Sequence, residues 1–350
     1  MQSLVYETIR HKKPGTTVPF LPDLRLWYQW HDSKNSIPPK YEGEDLASVS
    51  RAIGVTPINY VRPWTTEVTG GTNEREKSSD GKRWTFGSED EHLTAVWSIG
   101  PDGDYWQTEY PVKSAEDLAI VAKYLDRRKL SYSPSQTSAE SDTVEIIELP
   151  SRPFAWFMLE LVGFSEGLMI LMDAETEVLD IIAKAEADLS ELISTICAAN
   201  PGSILLSPDN LDAYFISPGY FETYLAASYD GLATIADEHD CCTVVHAGGP
   251  VAGLAPLLAD SRIDSIVGVA EAPQGDAGIK QIRELTQERI VPWGGIPQDF
   301  LLPQTKESDA IDGARRIASE ARDSGAALLG IADHVPIEAD IDRLATIASL

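Results

Sequence analysis

His246 closes the apolar run Cys241-Cys242-Thr243-Val244-Val245 and is followed at once by Ala247-Gly248-Gly249-Pro250. A strand that delivers an imidazole into a glycine turn presents a group able to move protons near neutral pH or to ligate a metal. Other apolar runs also end in polar residues: Pro22-Asp23 with Tyr28 a few positions on, Ser207-Pro208-Asp209-Asn210-Leu211-Asp212 with Tyr214 behind it, Ala270-Glu271-Ala272-Pro273, Trp293-Gly294-Gly295 and Asp333-His334. His246, Glu271 and Asp209 are the candidate catalytic residues. Zinc accepts imidazole and carboxylate as well as thiolate, so His246, Glu271 and His334 form a candidate metal set. The alternative is a metal-free site in which His246 is the acid or base and carboxylates orient it. Asp23, Tyr28, Trp156, Tyr214 and Trp293 are candidate substrate-binding residues, the aromatics suiting a planar or methylated cationic molecule. Against these stand plainer readings: core packing for the aromatics, and a helix N-cap for Asp209 or Asp212. Cys242 shares a face with His246 but lies deeper along the strand, where it reads as packing.

These residues need elements to position them, and eight apolar runs supply candidates. They are Thr17 to Leu21, Gly54 to Tyr60, Phe154 to Met158, Ser203 to Leu206, Thr243 to His246, Ser265 to Val269, Ile290 to Trp293 and Ala326 to Ile331. Helix-like stretches lie between them at Ala174 to Ala199, Pro218 to Glu238, Ala277 to Glu288 and Ser308 to Asp323. Strand and helix in alternation predict a parallel sheet, and eight such units predict an α/β (β/α)8 TIM barrel whose reactive groups lie at the C-terminal strand ends. The alternation breaks between about Arg62 and Ser151. There TGGTNEREKSSDGKRW reads as a turn-rich excursion, and HLTAVWSIGPDGDYWQTEY as a hairpin around Pro101 to Asp104. This reads as an insertion (62–151) into one domain of residues 1–350, with Ser131 to Asp142 as a mobile linker or lid.

With 350 residues, 43% of them hydrophobic, the chain can bury a large core. Its formal charge of -27, from 55 acidic and 28 basic residues, opposes phosphate backbones and anionic lipid surfaces and argues against nucleic acid as a partner. Its apolar runs fall short of the roughly 20 residues of a membrane span, and MQSLVYETIRHKK lacks the apolar core of a secretion signal. Three cysteines form no disulfide framework, so the expected setting is cytoplasmic. Phosphate-cradling glycine loops are not evident, which argues against nucleotide cofactors.

Several segments, in order, resemble the uroporphyrinogen decarboxylase and methylcobalamin methyltransferase superfamily. LLSPDNLDAYFISPGYFETYL is similar to its acidic stretch with Ile-Ser-Pro and an aromatic-led helix, and HAGGP to its histidine-bearing strand end. EAPQGDAGIKQIREL, VPWGGIPQDFL and GIADHVPIEADIDRL resemble its last three strand ends, and EYPVKSAEDLAIVAKYL the passage back into the barrel. The resemblance runs from about Glu109 to the C-terminus and implies a TIM barrel. Its decarboxylase branch carries an arginine-rich signature near the first strand, where this chain has PFLPDLRLWYQW with Arg25 alone. Its methyltransferase branch holds zinc with a His-x-Cys motif and a later cysteine. Here His246 matches, Gly248 stands in place of the first cysteine, and Asp333-His334 stands near the second. The resemblance therefore implies an enzyme moving a methyl group between a small methylated substrate and a corrinoid carried by a separate protein. The alternatives are a metal-assisted or acid–base lyase, decarboxylase or hydrolase without corrinoid, and a non-catalytic binding protein.

Overall fold

A computed structural model describes residues 1–13, 15, 17–88, 90–134 and 140–350. Within them the strands are β1 (Ile58–Val61), β2 (Trp64–Val68), β3 (Thr72–Lys77), β4 (Gly81–Gly87), β5 (His92–Ile99), β6 (Tyr105–Glu109), β7 (Arg128–Tyr132), β8 (Val144–Glu148), β9 (Ile204–Leu211), β10 (Cys242–Ala247), β11 (Ser265–Val269), β12 (Val291–Ile296) and β13 (Leu328–Ile331). They fall into two compact units. The first holds Met1–Arg62, Gln136–Leu149 and Asn200–Leu350, and the second Pro63–Ser135 and Pro150–Ala199.

The first unit is an α/β fold built on a curled, seven-stranded sheet in the order β1-β8-β9-β10-β11-β12-β13, with every neighbouring pair parallel. Alternate residues along the strands, Val144 and Ile146, Ile204 and Leu206, Cys242 and Val244, Val291 and Trp293, gather into one buried cluster with Val5 and Ile9 of the helix Gln2–His11. That alternation is the period-two face of a pleated strand. A second cluster lies where the helix Glu307–Asp323 turns Ala314, Ile317, Ala318 and Ala321 inward, the spacing of an amphipathic helix.

Two of the expected strands take other forms. The run Thr17 to Leu21 forms only a parallel bridge, Phe20 to Leu329, because Pro19 has no amide hydrogen to give and Pro22 ends the run. Its hydrogen bonds are Leu21 N to Leu329 O at 2.8 Å and Leu329 N to Pro19 O at 2.9 Å, and Thr56 N donates to Phe20 O at 3.0 Å. The run Phe154 to Met158, expected as the third strand, is helical: Pro153–Trp156 begins an α-turn that continues as a wider π-helix over Phe157–Val162. Proline suits a first helical turn, and buried Phe154, Phe157, Met158 and Leu161 recur at helical spacing. The strand that follows β1 in the sheet is instead β8, Val-Glu-Ile-Ile-Glu.

In the second unit β3-β4-β5-β6 form an antiparallel sheet and β2 pairs with β7. The hairpin around Pro101 to Asp104 forms between β5 and β6, whereas the segment expected as turn-rich folds into a second hairpin, β3 to β4, turning at Ser78 to Asp80. Trp84, Phe86 and Tyr124 make its aromatic core, the first two stacked at 4.2 Å between ring centres. Of the expected linker, Ser131 and Tyr132 belong to β7, residues 135–139 lie outside the described residues, and Asp142 accepts from Arg51 Nε at 2.7 Å. Among the described residues no single helix is long and apolar enough to cross a membrane.

Candidate functional site

The C-terminal end of the parallel sheet gathers ionisable side chains from strands distant in sequence. His246, near the end of β10, places Nε2 3.3 Å from Asp333 Oδ1, and His334 places Nδ1 3.1 Å from Asp333 Oδ2. Asp333 and His334 lie just past β13, after Ala332. Their loop is held by backbone contacts: Gln298 Nε2 donates to His334 O at 2.8 Å, and Val335 N donates to Asp23 O at 2.8 Å. Gln298 is itself gripped by Gln274, whose Oε1 accepts from Gln298 N at 2.7 Å. Burial pushes the Asp333 carboxyl up, but hydrogen bonds and attraction from the two imidazoles outweigh it and hold the group well below the usual carboxylate range. Asp333 is therefore an ionised anchor for two histidines, and each imidazole is about one-fifth exposed.

A second cluster lies at the same end of the sheet. Arg25 grips Asp23 through Nε and through its terminal nitrogen at 2.6 Å, reaches Glu148 Oε2 at 3.3 Å, and lies 3.6 Å above the ring of Tyr60. Arg62 also pairs with Glu148. Burial lowers the affinity of Arg25 for its proton, yet the hydrogen bond and charge of Asp23, with Tyr60 and Glu148, leave it raised. The Tyr60 phenol is raised by burial and by the charges of Asp23, Glu148 and Asp333, with Arg25 opposing. Glu148, Tyr60 and Arg62 were not among the residues expected from the sequence. The alternation of Val144-Glu145-Ile146-Ile147-Glu148 before Leu-Pro was the available signal for the first of them.

The other expected residues lie elsewhere or are engaged internally. Glu271 does not join His246: Arg316, on the helix Glu307–Asp323, donates to both its carboxylate oxygens at 3.1 and 2.8 Å. The set His246, Glu271 and His334 is thus not assembled, and among the described residues no group of three or more His, Cys, Asp or Glu side chains could hold a metal ion. The residues present do not fit the zinc centre expected from them. Asp209 is 1% exposed and accepts from Ser207 Oγ at 2.7 Å and from Tyr229 OH, so it is an internal anchor and not an N-cap. Asp23 is engaged by Arg25. Trp293 is not a pocket wall: it is buried in the sheet's inner cluster and donates to Leu21 O at 3.2 Å. Gly294 and Gly295 beside it have φ of 142° and 93°, and a side chain at Gly295 would meet Ile279 and Ile317. Tyr28 packs at the rim of the helical cluster and donates to Glu44 O at 2.8 Å. Tyr214 is 83% exposed. Trp156 belongs to the second unit, where the Arg128 guanidinium sits 5.6 Å from its ring. Cys242 is fully buried in the inner cluster, as its strand position implied.

Beside His246 the chain is shaped around glycines. Two steps along β10, from Val245 to Ala247, match four along β9, from Ser207 to Leu211, so Pro208, Asp209 and Asn210 bulge. Asn210 takes φ of 50° and lays its carboxamide over Gly248, where a Cβ would fall 1.8 Å from Asn210 Oδ1. Asp212 lies likewise over Gly249, 2.5 Å from the corresponding position.

No protein-family model matches the sequence, and a search of curated proteins gives no match. Among solved structures the chain is similar to a methyltransferase from Methanosarcina mazei, at 14% identity and a TM-score of 0.62, covering 99% of this chain and 97% of that one. A D-psicose 3-epimerase with D-fructose matches over 67% of this chain and 81% of that one, at 10% identity and a TM-score of 0.31, too low to support an argument. The likeness to the methyltransferase is one of fold.

Proposed function

We propose that the protein is a methyltransferase-like enzyme that moves a methyl group between a small methylated substrate and a corrinoid carried by a separate protein. The observation that carries this reading is the His246–Asp333–His334 constellation at the C-terminal end of a parallel sheet, the end where such folds do chemistry. The fold likeness to a methyltransferase and the ordered segments resembling the corrinoid-linked superfamily support it. Closure of the sheet into an eight-stranded barrel is part of the same proposal. It is supported by the hydrogen bonds that Pro19 to Leu21 make to β13 on one side and to Thr56, just before β1, on the other.

In this chemistry the corrinoid supplies the methyl acceptor. Asp333 pairs with Nε2 of His246 and orients the ring, leaving Nδ1 for substrate. As the bond between methyl and heteroatom breaks, the proton on His246 passes to the heteroatom, which leaves neutral, and the methyl goes to the acceptor. The reverse step returns that proton to His246. Moving a proton in this way needs no thiolate, which accords with glycine at position 248. The test is to supply purified protein with methanol, methylamines or methyl sulfides and cob(I)alamin. Methylcobalamin is expected from at least one donor, and none from any of them would overturn the reading.

A second reading, an acid–base lyase, decarboxylase or hydrolase, is favoured by one observation: the His246–Asp333 pair is complete with protein groups alone. Dependence of turnover on corrinoid separates the two.

A further inference from the structure

We infer that Asn210 is a substrate-contacting residue, its carboxamide set beside His246 to hydrogen-bond a neutral polar group on the molecule His246 acts on. The inference rests on the previous section only in placing the substrate at His246. Gly248 is the first residue past β10, but its N–H still donates to Leu211 O at 2.9 Å and so continues the ladder; a side chain there would lie on the same face as His246, about 7 Å along the chain. Gly248 has none, and the Asn210 carboxamide occupies that space.

The bulge of β9 is built to put it there. Asp209 is pinned inside by Ser207 and Tyr229, which fixes the bulge from within. Asn210 follows in the left-handed region, which asparagine enters more readily than other non-glycine residues, and remains exposed. A carboxamide offers two N–H donors and a carbonyl acceptor without charge, so it pairs with an amide, alcohol or similar group that both gives and accepts. Asp333 on His246 and Asp212 over Gly249 make the surroundings acidic, which disfavours a carboxylate ligand.

The test uses full-length protein with isotope-labelled histidine and asparagine, titrated with acetamide and separately with acetate. Acetamide is expected to shift the Asn210 side-chain and His246 ring signals along a single binding curve, and acetate is not. Asn210→Gly keeps the left-handed backbone and removes the carboxamide, so it should weaken the His246 response roughly threefold to tenfold, the worth of one neutral hydrogen bond. Gly248→Ala leaves Asn210 in the chain but displaces its tip, and should give the same loss. The double variant should lose no more than either alone. An unchanged His246 response in Asn210→Gly, additive losses, equal binding of acetate, or no shift of either signal would each overturn the inference. Shared acetamide binding without methyl transfer would overturn the reading of the previous section and leave this one standing.

Discussion

Asp333 pairs with both histidines, and its removal is the sharpest residue-level perturbation of the site. Asp333→Asn keeps the shape but takes away the charge that pairs with both imidazoles, and turnover is expected to fall about a hundredfold or more. Comparing initial rates with circular dichroism spectra checks that the loss is chemical. Stability carries a second signature. The folded Asp333 carboxyl titrates below its unfolded value, so its contribution is fully present above about pH 4 and disappears as pH falls through the lower folded value. Urea unfolding of Asp333→Asn should show a shallower loss of stability than wild type on that acid side, and parallel curves would contradict the assignment. Glu271 teaches the converse: bound by Arg316, it should tolerate Glu271→Gln with activity near wild type.

At the scale of elements, β9 and β12 hold the sheet end in shape from inside. Tyr229→Phe removes one hydroxyl from the buried Asp209 carboxylate and is expected to cost about 1–3 kcal/mol in urea unfolding. Trp293→Ala, in the inner cluster, should cost about 3–5 kcal/mol. If it instead left stability unchanged and weakened only substrate binding, the core assignment would be wrong. The strands β10 to β13 were legible in the sequence because both faces of a covered parallel strand are apolar, so each reads as an unbroken run. β8 was not, since its two glutamates break a short run while the louder aromatic run Phe154 to Met158 lies just beyond. The burial spacing of that run, 154, 157, 158 and 161, is helical. The partners in the site were less legible still. His246 could be found as a strand end, but its pairing with Asp333 depends on how the sheet curls, and Glu271 could be discounted only once Arg316 was seen to reach it.

For the whole molecule, a charge of -27 works against compactness, and ion pairs such as Arg262–Asp230 and Arg289–Asp260 offset little of it at the surface. Salt screens the net repulsion more than it weakens such pairs, so the melting temperature should rise between low and moderate ionic strength. A melting temperature that falls with added salt would show that local pairs dominate. The same acidity bears on the proposed exchange with a corrinoid-carrying protein, whose docking face would need to be neutral or basic to approach. The claim at the centre of the account is that His246 moves the proton that accompanies methyl transfer. It is tested most directly by the initial rate of methylcobalamin formation from cob(I)alamin and methyl donor, measured side by side for wild type and a folded His246→Ala variant. The account expects wild type to turn over and the variant to run at least about a hundredfold slower. Equal rates for the two proteins would contradict it.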